Sequence, residues 1–335
     1  MGIEAEVIIS TTTDSWKNLA TEELLLNTLD PNTCRLFLYV NSDVVVIGKN
    51  QNPWKECRVN RLEHEGCRLA RRSSGGGTVF HDTGNLNYSF IMPVGAFDID
   101  RQFGIVLKAM SALGVNAVCS ERRDIRVMGD KCSGNAMCYR KSAAMHHGTI
   151  MVDVKIPKLY RYLTPSDIVV KTHAVQSIPS LVTNLKKIVP DITIEKVMDA
   201  ICGSFREEYG TYTLRNDADY QQSSEWAELY EKHRSWEWRF GRTPRYEITM
   251  QKDFSKGYGW FIFNVNEGKI VDVSVSGEPF DEEAVQKLKL CWTGKIFHVD
   301  CLADSVSQAD ANSGDDLFLE IEKWLRDKSF NYKEV

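Results

Sequence analysis

The apolar positions of the chain fall into short runs separated by polar turns. Behind Asp14 or Ser15, either of which can cap it, WKNLATEELLLNTL reads as a helix. CRLFLYV and DVVVIG follow as two apolar runs, and the turn at Asn41–Ser42 between them predicts a β-hairpin. NLNYSFIM alternates as a strand. From Phe103, the residues Val106, Leu107, Met110 and Leu113 recur at helical spacing, with Gly114 placed to end that helix. HHGTIMVDV reads as a further strand, and Thr193 can cap a helix whose buried stripe is Ile194, Val197, Met198, Ile201 and Phe205.

Strands and helices alternate without the regular rhythm of a doubly wound sheet, which favours an α+β fold. Aromatic residues peak in SWEWRFGRTPRYEI, and the Pro244 turn then breaks the pattern. Beyond it GWFIFNV, the turn Asn266–Glu267–Gly268 and KIVDVSVSG predict a hairpin. Asp281 can cap a helix, and a last amphipathic helix carries Leu317, Ile321, Trp324 and Leu325. The expected division is therefore a domain over 1–248 and a small α+β accessory domain over 249–335.

Composition narrows the classes. The chain has 335 residues, 43% hydrophobic and 26% charged, as in an ordinary soluble globular protein. A formal charge of −5 argues against a general nucleic-acid binder. No apolar run approaches the length of a membrane span. The nine cysteines are odd in number and include no Cys-x-x-Cys, so reduced thiols in an intracellular compartment are expected. The N-terminus does not read as a signal or transit peptide, and the expected location is the cytoplasm, with the mitochondrial matrix as the alternative.

The chemistry gathers around RRSSGGGTVFHDTGN, residues 71–85. Three consecutive glycines cost stability in regular structure, and a glycine-rich turn can set backbone N–H groups against phosphate. The run is neither a P-loop nor Gly-x-Gly-x-x-Gly. Three other stretches stand out: GKNQNPWKEC after a strand, RRDIRVMGDKCSGNA with Asp124 and Lys131, and HHGT. Adjacent histidines on a strand point to opposite faces, so one of the pair at most can face a site. An acyl phosphate chemistry needs backbone donors, a fixed cation, a carboxylate for Mg²⁺ and an apolar slot. The glycine run, Lys131, Asp124 and DVVVIG can supply them. Gly-x-Ser-x-Gly is absent and no Ser/His/Asp motif is visible, which argues against a serine nucleophile.

Taken in order, VVIGKNQNPWKEC, RLARRSSGGGTVFHDTGNLNYSF, DKCSGNA, HHGT, SIPSLVTNL and SWEWRFGRTP resemble the family of lipoate–protein ligase A and the lipoyltransferases. The resemblance implies a mixed, mostly antiparallel sheet with flanking helices, shared with class II biotin ligases. It also implies a two-step reaction. Lipoate and ATP with Mg²⁺ give lipoyl-AMP, and a lysine of an apo lipoyl domain then takes the lipoyl group. The implied acceptors are the E2 subunits of 2-oxoacid dehydrogenases and the glycine cleavage H protein. Carried over by position, Arg72, Ser74, Gly75, Gly76, Gly77, Thr78, Val79, Phe80, Asn85, Lys131, His147 and Thr149 would bind ATP or lipoyl-AMP. Val46, Gly48, Arg72, His81 and Lys131 would meet lipoate, Lys131 would be catalytic, and Asp124 would hold Mg²⁺. Relatives commonly have Asn before that Asp, where this chain has Arg123. A lipoyltransferase using preformed lipoyl-AMP is the alternative. Octanoyl transfer, which commonly uses a cysteine, would leave Cys132 as the candidate nucleophile.

Overall fold

The computed structural model describes residues 3–163, 169–310 and 316–327. In chain order the elements begin with β1 (Glu4–Ile9), α1 (Ser15–Asn27), β2 (Thr33–Val40), β3 (Val44–Ile47), α2 (Pro53–Glu56) and α3 (Val59–His64). Next come β4 (Arg68–Arg71), β5 (Val79–His81), β6 (Asn85–Pro93), α4 (Ile99–Ala112), β7 (Ala117–Cys119), β8 (Ile125–Val127) and β9 (Asp130–Ser133). They continue through β10 (Asn135–Tyr139), β11 (Ala143–Met151), α5 (Ile156–Leu163), β12 (Val169–Thr172), α6 (Ile194–Tyr209), β13 (Tyr212–Asn216) and α7 (Ser224–Arg234). The rest are β14 (Tyr246–Phe254), β15 (Gly257–Asn266), β16 (Lys269–Gly277), α8 (Glu282–Trp292), α9 (Val299–Asp310) and α10 (Asp316–Arg326).

Two compact units divide the chain. The first takes Met1–Lys49, Ala70–Arg161 and Ser177–Ser235; the second takes Asn50–Leu69, Tyr162–Gln176 and Trp236–Val335. The cut expected at 248/249 falls inside β14, a strand paired along its length with β15.

In the first unit a six-stranded sheet runs in the order β10-β11-β6-β2-β1-β13. Its pairings from β10 through β2 are antiparallel, and β1 lies parallel to both β2 and β13. This is the mixed, mostly antiparallel sheet expected. Strand alternation explains how it is covered. Leu36 and Leu38 of β2 pack with Phe103, Val106 and Met110 of α4 and with Val197, Ile201 and Phe205 of α6. Phe37 and Tyr39, on the other face, pack with Leu25 and Leu26 of α1. Each such side chain, fully buried, stabilises the fold by about 1.5–3 kcal/mol. The caps act as the sequence suggests. Asp14 accepts from the N–H groups of Trp16 and Lys17, and Thr193 from that of Lys196.

The expected hairpin of β2 and β3 does not form. β2 lies between β6 and β1, whereas β3 sits between β4 and β5 in a separate three-stranded sheet. Both faces of β2 are buried, so the strand belongs inside a large sheet rather than in a two-stranded ribbon. Asn41 is itself fully buried, its side chain bonded to Asn18 and His81.

The second unit is built on an antiparallel sheet in the order β12-β14-β15-β16. Glu267 and Gly268, with φ of 50° and 71°, make the predicted β15–β16 turn. Positive φ at both central positions matches the twist of a two-residue hairpin. Asp281 caps α8, and Leu317, Ile321, Trp324 and Leu325 of α10 are buried. Trp54, from the 50–69 segment, stacks on Tyr246 with ring centroids 5.1 Å apart and meets Phe240 and Phe297. That aromatic packing puts the segment in this unit.

In the first unit Glu23, on α1, is the best-defined electrostatic tie. It accepts from Ser73 Oγ at 2.7 Å, His233 Nε2 at 2.8 Å and Lys232 Nζ at 2.6 Å. Burial would raise its carboxyl, but His233 and Lys232 outweigh that and hold it well below the ordinary carboxylate range. A depressed folded-state pKa contributes stability above the unfolded value of 4.5, lost as pH falls through the folded value. Glu23→Gln is expected to lower stability by about 3 kcal/mol at pH 7, the difference shrinking below pH 4.5. Urea unfolding at pH 7 and pH 3 measures both; equal stability of variant and wild type at pH 7 refutes the tie.

Candidate functional site

The glycine run follows β4, where the chain leaves the sheet and folds back. Arg72 directs the fold. Its guanidinium is buried and donates to the carbonyls of Val46, Gly75 and Gly77 and to Ser74 Oγ, at 2.7 Å for Gly77 and 3.0 Å for Ser74. Burial pulls the Arg72 guanidinium down to about 10, with Glu22 and Tyr39 opposing. Arg72, expected to meet substrate, here donates to the turn and to β3. The neighbouring Arg71 donates to the carbonyls of Gly48 and Lys49.

The three glycines are not equivalent. Gly76 has φ +86°, and a Cβ there would stand 3.0 Å from the Arg72 guanidinium. A Cβ on Gly77 would come within 3.1 Å of Ser177 Oγ. A Cβ on Gly75 would meet nothing within 4 Å. Gly48 at the end of β3 faces the same turn, because a Cβ there would lie 2.4 Å from the Gly76 carbonyl oxygen. Gly75 is the position whose open side can admit a ligand against the main chain.

His147 ties β11 to this turn. Its Nε2 lies 2.7 Å from Ser74 Oγ, and its Nδ1 donates to Glu22 at 3.0 Å. Burial would raise the Glu22 carboxyl, but His147, Ser89 and Tyr39 more than offset it and leave the carboxylate favoured. The structure thus assembles a serine, histidine and carboxylate that no local motif announces. Ser74 is 2% exposed and its oxygen accepts the Arg72 Nε–H, so the hydroxyl is committed to the turn rather than free to attack. His146 points the other way, against Phe103 and Phe90, as alternation requires.

Lys131 stands on β9, in a hairpin with β8. Its ammonium pairs with Asp124 at 2.8 Å, so the expected catalytic cation and metal ligand are brought together. Gly134 and Thr149 adjoin it: a Cβ on Gly134 would be 3.2 Å from Nζ and 4.0 Å from Thr149 Oγ1. The segment 177–183 links this hairpin to the glycine turn. Ser177 Oγ accepts from the Thr78 N–H at 2.8 Å, while Lys131 N donates to Leu181 O and Thr183 N to Lys131 O. Arg123 has φ +62°, and Asn135 Nδ2 donates to its carbonyl. Left-handed backbone suits Asn far better than Arg, so Arg123 is a strained choice at this position.

The remaining candidates divide. Val46 and Val79 pack with Leu19, Val44 and Ala70 in an apolar cluster at the β3–β5 sheet. His81 shares the Val79 face of β5, whereas Phe80 lies on the opposite face. Asn85 bonds Asn87 at the start of β6 and makes no described bond to Lys131 or the turn. Cys132 is fully buried, its thiol pushed up to about 12 by burial and donating to Ile125 O, which removes it as a nucleophile. Glu22, Asn41 and Ser177 were not foreseen. The one available signal was a pair of adjacent carboxylates, Glu22 and Glu23, inside a largely apolar helix.

Among the described residues no cluster of three His, Cys, Asp or Glu side chains could hold a metal ion. Asp124 offers one carboxylate. That fits Mg²⁺, which is often bound by one or two carboxylates together with substrate phosphates. Among the described residues no helix is long and apolar enough to cross a membrane.

A model of the lipoyl protein ligase A/B catalytic domain matches residues 14–206. Lipoate-protein ligase A of Psychrobacter cryohalolentis is 35% identical over 301 residues, covering 86% of this chain and 87% of that protein. The crystal structure of P. falciparum LipL1 in complex with lipoate aligns with a TM-score of 0.65 at 27% identity, over 96% of this chain and 99% of that one. A lipoate-protein ligase A structure bound with ATP shares the fold at a TM-score of 0.57 and 23% identity, over 69% and 94% of the two chains.

The unequal glycines give a direct test. Gly76→Ala is expected to destabilise the protein by about 1–2 kcal/mol, the cost of a left-handed non-glycine residue. Gly75→Ala should stay within about 0.5 kcal/mol of wild type, as an unobstructed substitution does. Chemical denaturation of both variants checks this. Equal losses would mean that Gly75 and Gly76 meet the same constraint.

Proposed function

The chain belongs to the lipoyl protein ligase A/B catalytic-domain family, and from that premise we propose how its residues divide the work of a lipoate–protein ligase. The observation that carries the assignment is the convergence of Lys131 and the glycine turn on the two ends of segment 177–183. Residues more than fifty positions apart in sequence are thereby tied to one short segment.

In the first step a lipoate carboxylate oxygen attacks the α-phosphorus of ATP and pyrophosphate leaves. In the second, the amine of an acceptor lysine attacks the acyl carbonyl of lipoyl-AMP and AMP leaves. Both transition states gather negative charge at the carboxyl and α-phosphate oxygens. Lys131 supplies a cation there, and backbone N–H groups of the glycine turn can supply neutral donors. Arg72 acts on the turn from behind, holding Gly75 and Gly77 in place. Asp124 pairs with Lys131 in the free protein, and it is the carboxylate that would hold Mg²⁺ beside the nucleotide phosphates. Bound there, the ion would offset phosphate charge. In this reading the acyl chain lies beside the apolar cluster of Leu19, Val44, Val46 and Ala70 at the β3–β5 sheet.

The acceptors in this reading are lipoyl domains, with the E2 subunits of 2-oxoacid dehydrogenases and the H protein as the named cases. A transferase confined to preformed lipoyl-AMP is disfavoured, because Lys131 and Asp124 provide both a phosphate cation and a carboxylate for the metal.

Wild-type protein is expected to catalyse lipoate-dependent exchange of pyrophosphate into ATP, requiring Mg²⁺. Lys131→Ala should fold normally and lose about 10²–10³ in rate, the effect of deleting one donor to a developing anion. Exchange absent in the wild type, with lipoyl-AMP still transferred to an apo lipoyl domain, would make the protein a transferase.

A further inference from the structure

The peptide that joins Arg123 to Asp124 is held at both ends. Its carbonyl oxygen accepts from Asn135 Nδ2 at 3.1 Å, and its N–H donates to Ser120 Oγ at 3.2 Å. A peptide unit is planar, so two such bonds fix the direction in which the chain enters Asp124. The residue ahead, Arg123, has left-handed backbone with φ +62°. In a residue with a Cβ, such backbone persists only where the surroundings hold it. The other contacts of Arg123 lie inside the turn or at the surface. Its N–H donates to Ser120 O, and its partly exposed guanidinium pairs with Asp100 and lies 5.8 Å from the Phe103 ring centroid.

Asn135 is oriented in turn from behind. The Arg123 carbonyl can only accept, so the Asn135 end facing it is the NH₂. The amide oxygen then faces the Tyr88 hydroxyl and His146 Nε2, the latter at 2.9 Å. A hydroxyl can serve either end of an amide, whereas a ring N–H can meet only the oxygen. His146 is therefore the group that decides which way the amide points. It is fully buried, and burial, then His147 and Arg123, bring its imidazole down to about 3, so the ring is neutral. A neutral ring that donates from Nε2 accepts at Nδ1. The Gln102 amide 3.1 Å from Nδ1, whose two ends exchange by a half-turn, presents its NH₂ there. Gly148 leaves room for the meeting, since a Cβ there would stand 2.4 Å from Asn135 Oδ1 and 2.5 Å from the Tyr88 hydroxyl.

We propose that His146 and Asn135 are positioning residues that hold the left-handed Arg123 and so aim the Asp124 carboxylate at Lys131. The proposal rests on the reading of Lys131 and Asp124 as the pair that faces the phosphates. Asn135 on β10 and His146 on β11 stand at one edge of the six-stranded sheet. From there the Asn135 amide reaches the turn at 120–124, whose last residue lies 2.8 Å from the Lys131 ammonium. Without that amide, residue 123 can return to ordinary backbone and the peptide after it can rotate. The strain of one left-handed residue and the net worth of one hydrogen bond are of the same order, so this single loss suffices. Asp124 would then no longer be in place before the nucleotide arrives, and placement in advance is what a reacting site needs. Neither His146 nor Asn135 touches substrate; each acts through Arg123.

Amide hydrogen exchange in the free protein reads the clamp without nucleotide or metal. Asn135→Ala and His146→Phe should each speed exchange at the Asp124 N–H about tenfold, the size of one hydrogen bond. His146→Gln, which can set an amide N–H where the ring N–H stands, should keep the protection. Lipoate-dependent exchange of pyrophosphate into ATP gives the second readout, expected to fall about tenfold in Asn135→Ala. Adding Arg123→Asn, a residue that takes left-handed backbone readily, should restore most of both readouts in the double variant. A general loss of structure at Asn135 would not be repaired at position 123. Long-range ¹H–¹⁵N spectra of the wild type should show His146 neutral with its proton on Nε2; a proton on Nδ1 alone overturns its part. Unchanged exchange at the Asp124 N–H in Asn135→Ala, or a double variant no better than the single one, overturns the proposal. A wild type that exchanges no pyrophosphate would instead overturn the reading of Lys131 and Asp124, while the Asp124 N–H still decides whether the clamp exists.

Discussion

The buried Arg72 guanidinium is the tie on which the geometry of the site depends. A charge taken out of water is costly unless it is hydrogen-bonded and has a counter-charge nearby. Arg72 has both. Its donors go to the carbonyls of Val46, Gly75 and Gly77 and to Ser74, and the Glu22 carboxylate opposes its desolvation. Glu22 in turn is held ionised by His147, Ser89 and Tyr39. Because His147 also bonds Ser74, the positive and negative groups are joined through the turn they support. Removing any member would leave another buried and unanswered. The network therefore constrains one conformation of the turn, which suits a loop that must present backbone N–H groups in fixed directions.

Much of this was legible in local sequence, and the rest was not, for physical reasons. Caps at Asp14, Thr193 and Asp281, the helix ended by Gly114 and the turn at Glu267–Gly268 are short-range devices, and each stands where the residues indicate. The mispaired hairpin shows the limit. Asn41–Ser42 has turn chemistry, but the pairing of β2 with β6 and β1 is decided by burial of both its faces. The same limit hid Glu22. A carboxylate in a helix ordinarily reads as a solvated position, and only the packing of α1 on the sheet turns it inward. Trp54 illustrates it again, since its aromatic partners Phe240, Tyr246 and Phe297 come from the far end of the sequence.

The glycine run was visible at once, yet its meaning changed with the structure. Gly76 is required by its backbone angle and Gly48 by the Gly76 carbonyl, while a Cβ on Gly77 would crowd Ser177. Of the three glycines in the run, Gly75 alone has open space where a side chain would be. A run that suggests three contacts with one ligand is thus mostly the cost of folding the turn tightly enough to offer one. Such close packing could not be read from composition, because it depends on which side chain occupies the space beside each Cα.

The two ends of the site differ in how freely their charges can change partner. Glu22, Arg72 and His147 are buried, where an unpaired charge is severely penalised, so breaking their contacts is costly. Lys131 and Asp124 are 25% and 14% exposed at their side chains, where water screens the pair and its exchange costs little. In the proposed reaction this division matches the substrates. The acyl chain is the same before and after activation and can be held by a fixed surface. The phosphates arrive as ATP, depart as pyrophosphate and then as AMP, so the cation facing them must be able to take up and release an anion. A partly exposed Lys131–Asp124 pair meets that requirement, since the carboxylate keeps the ammonium engaged between substrates without holding it against them.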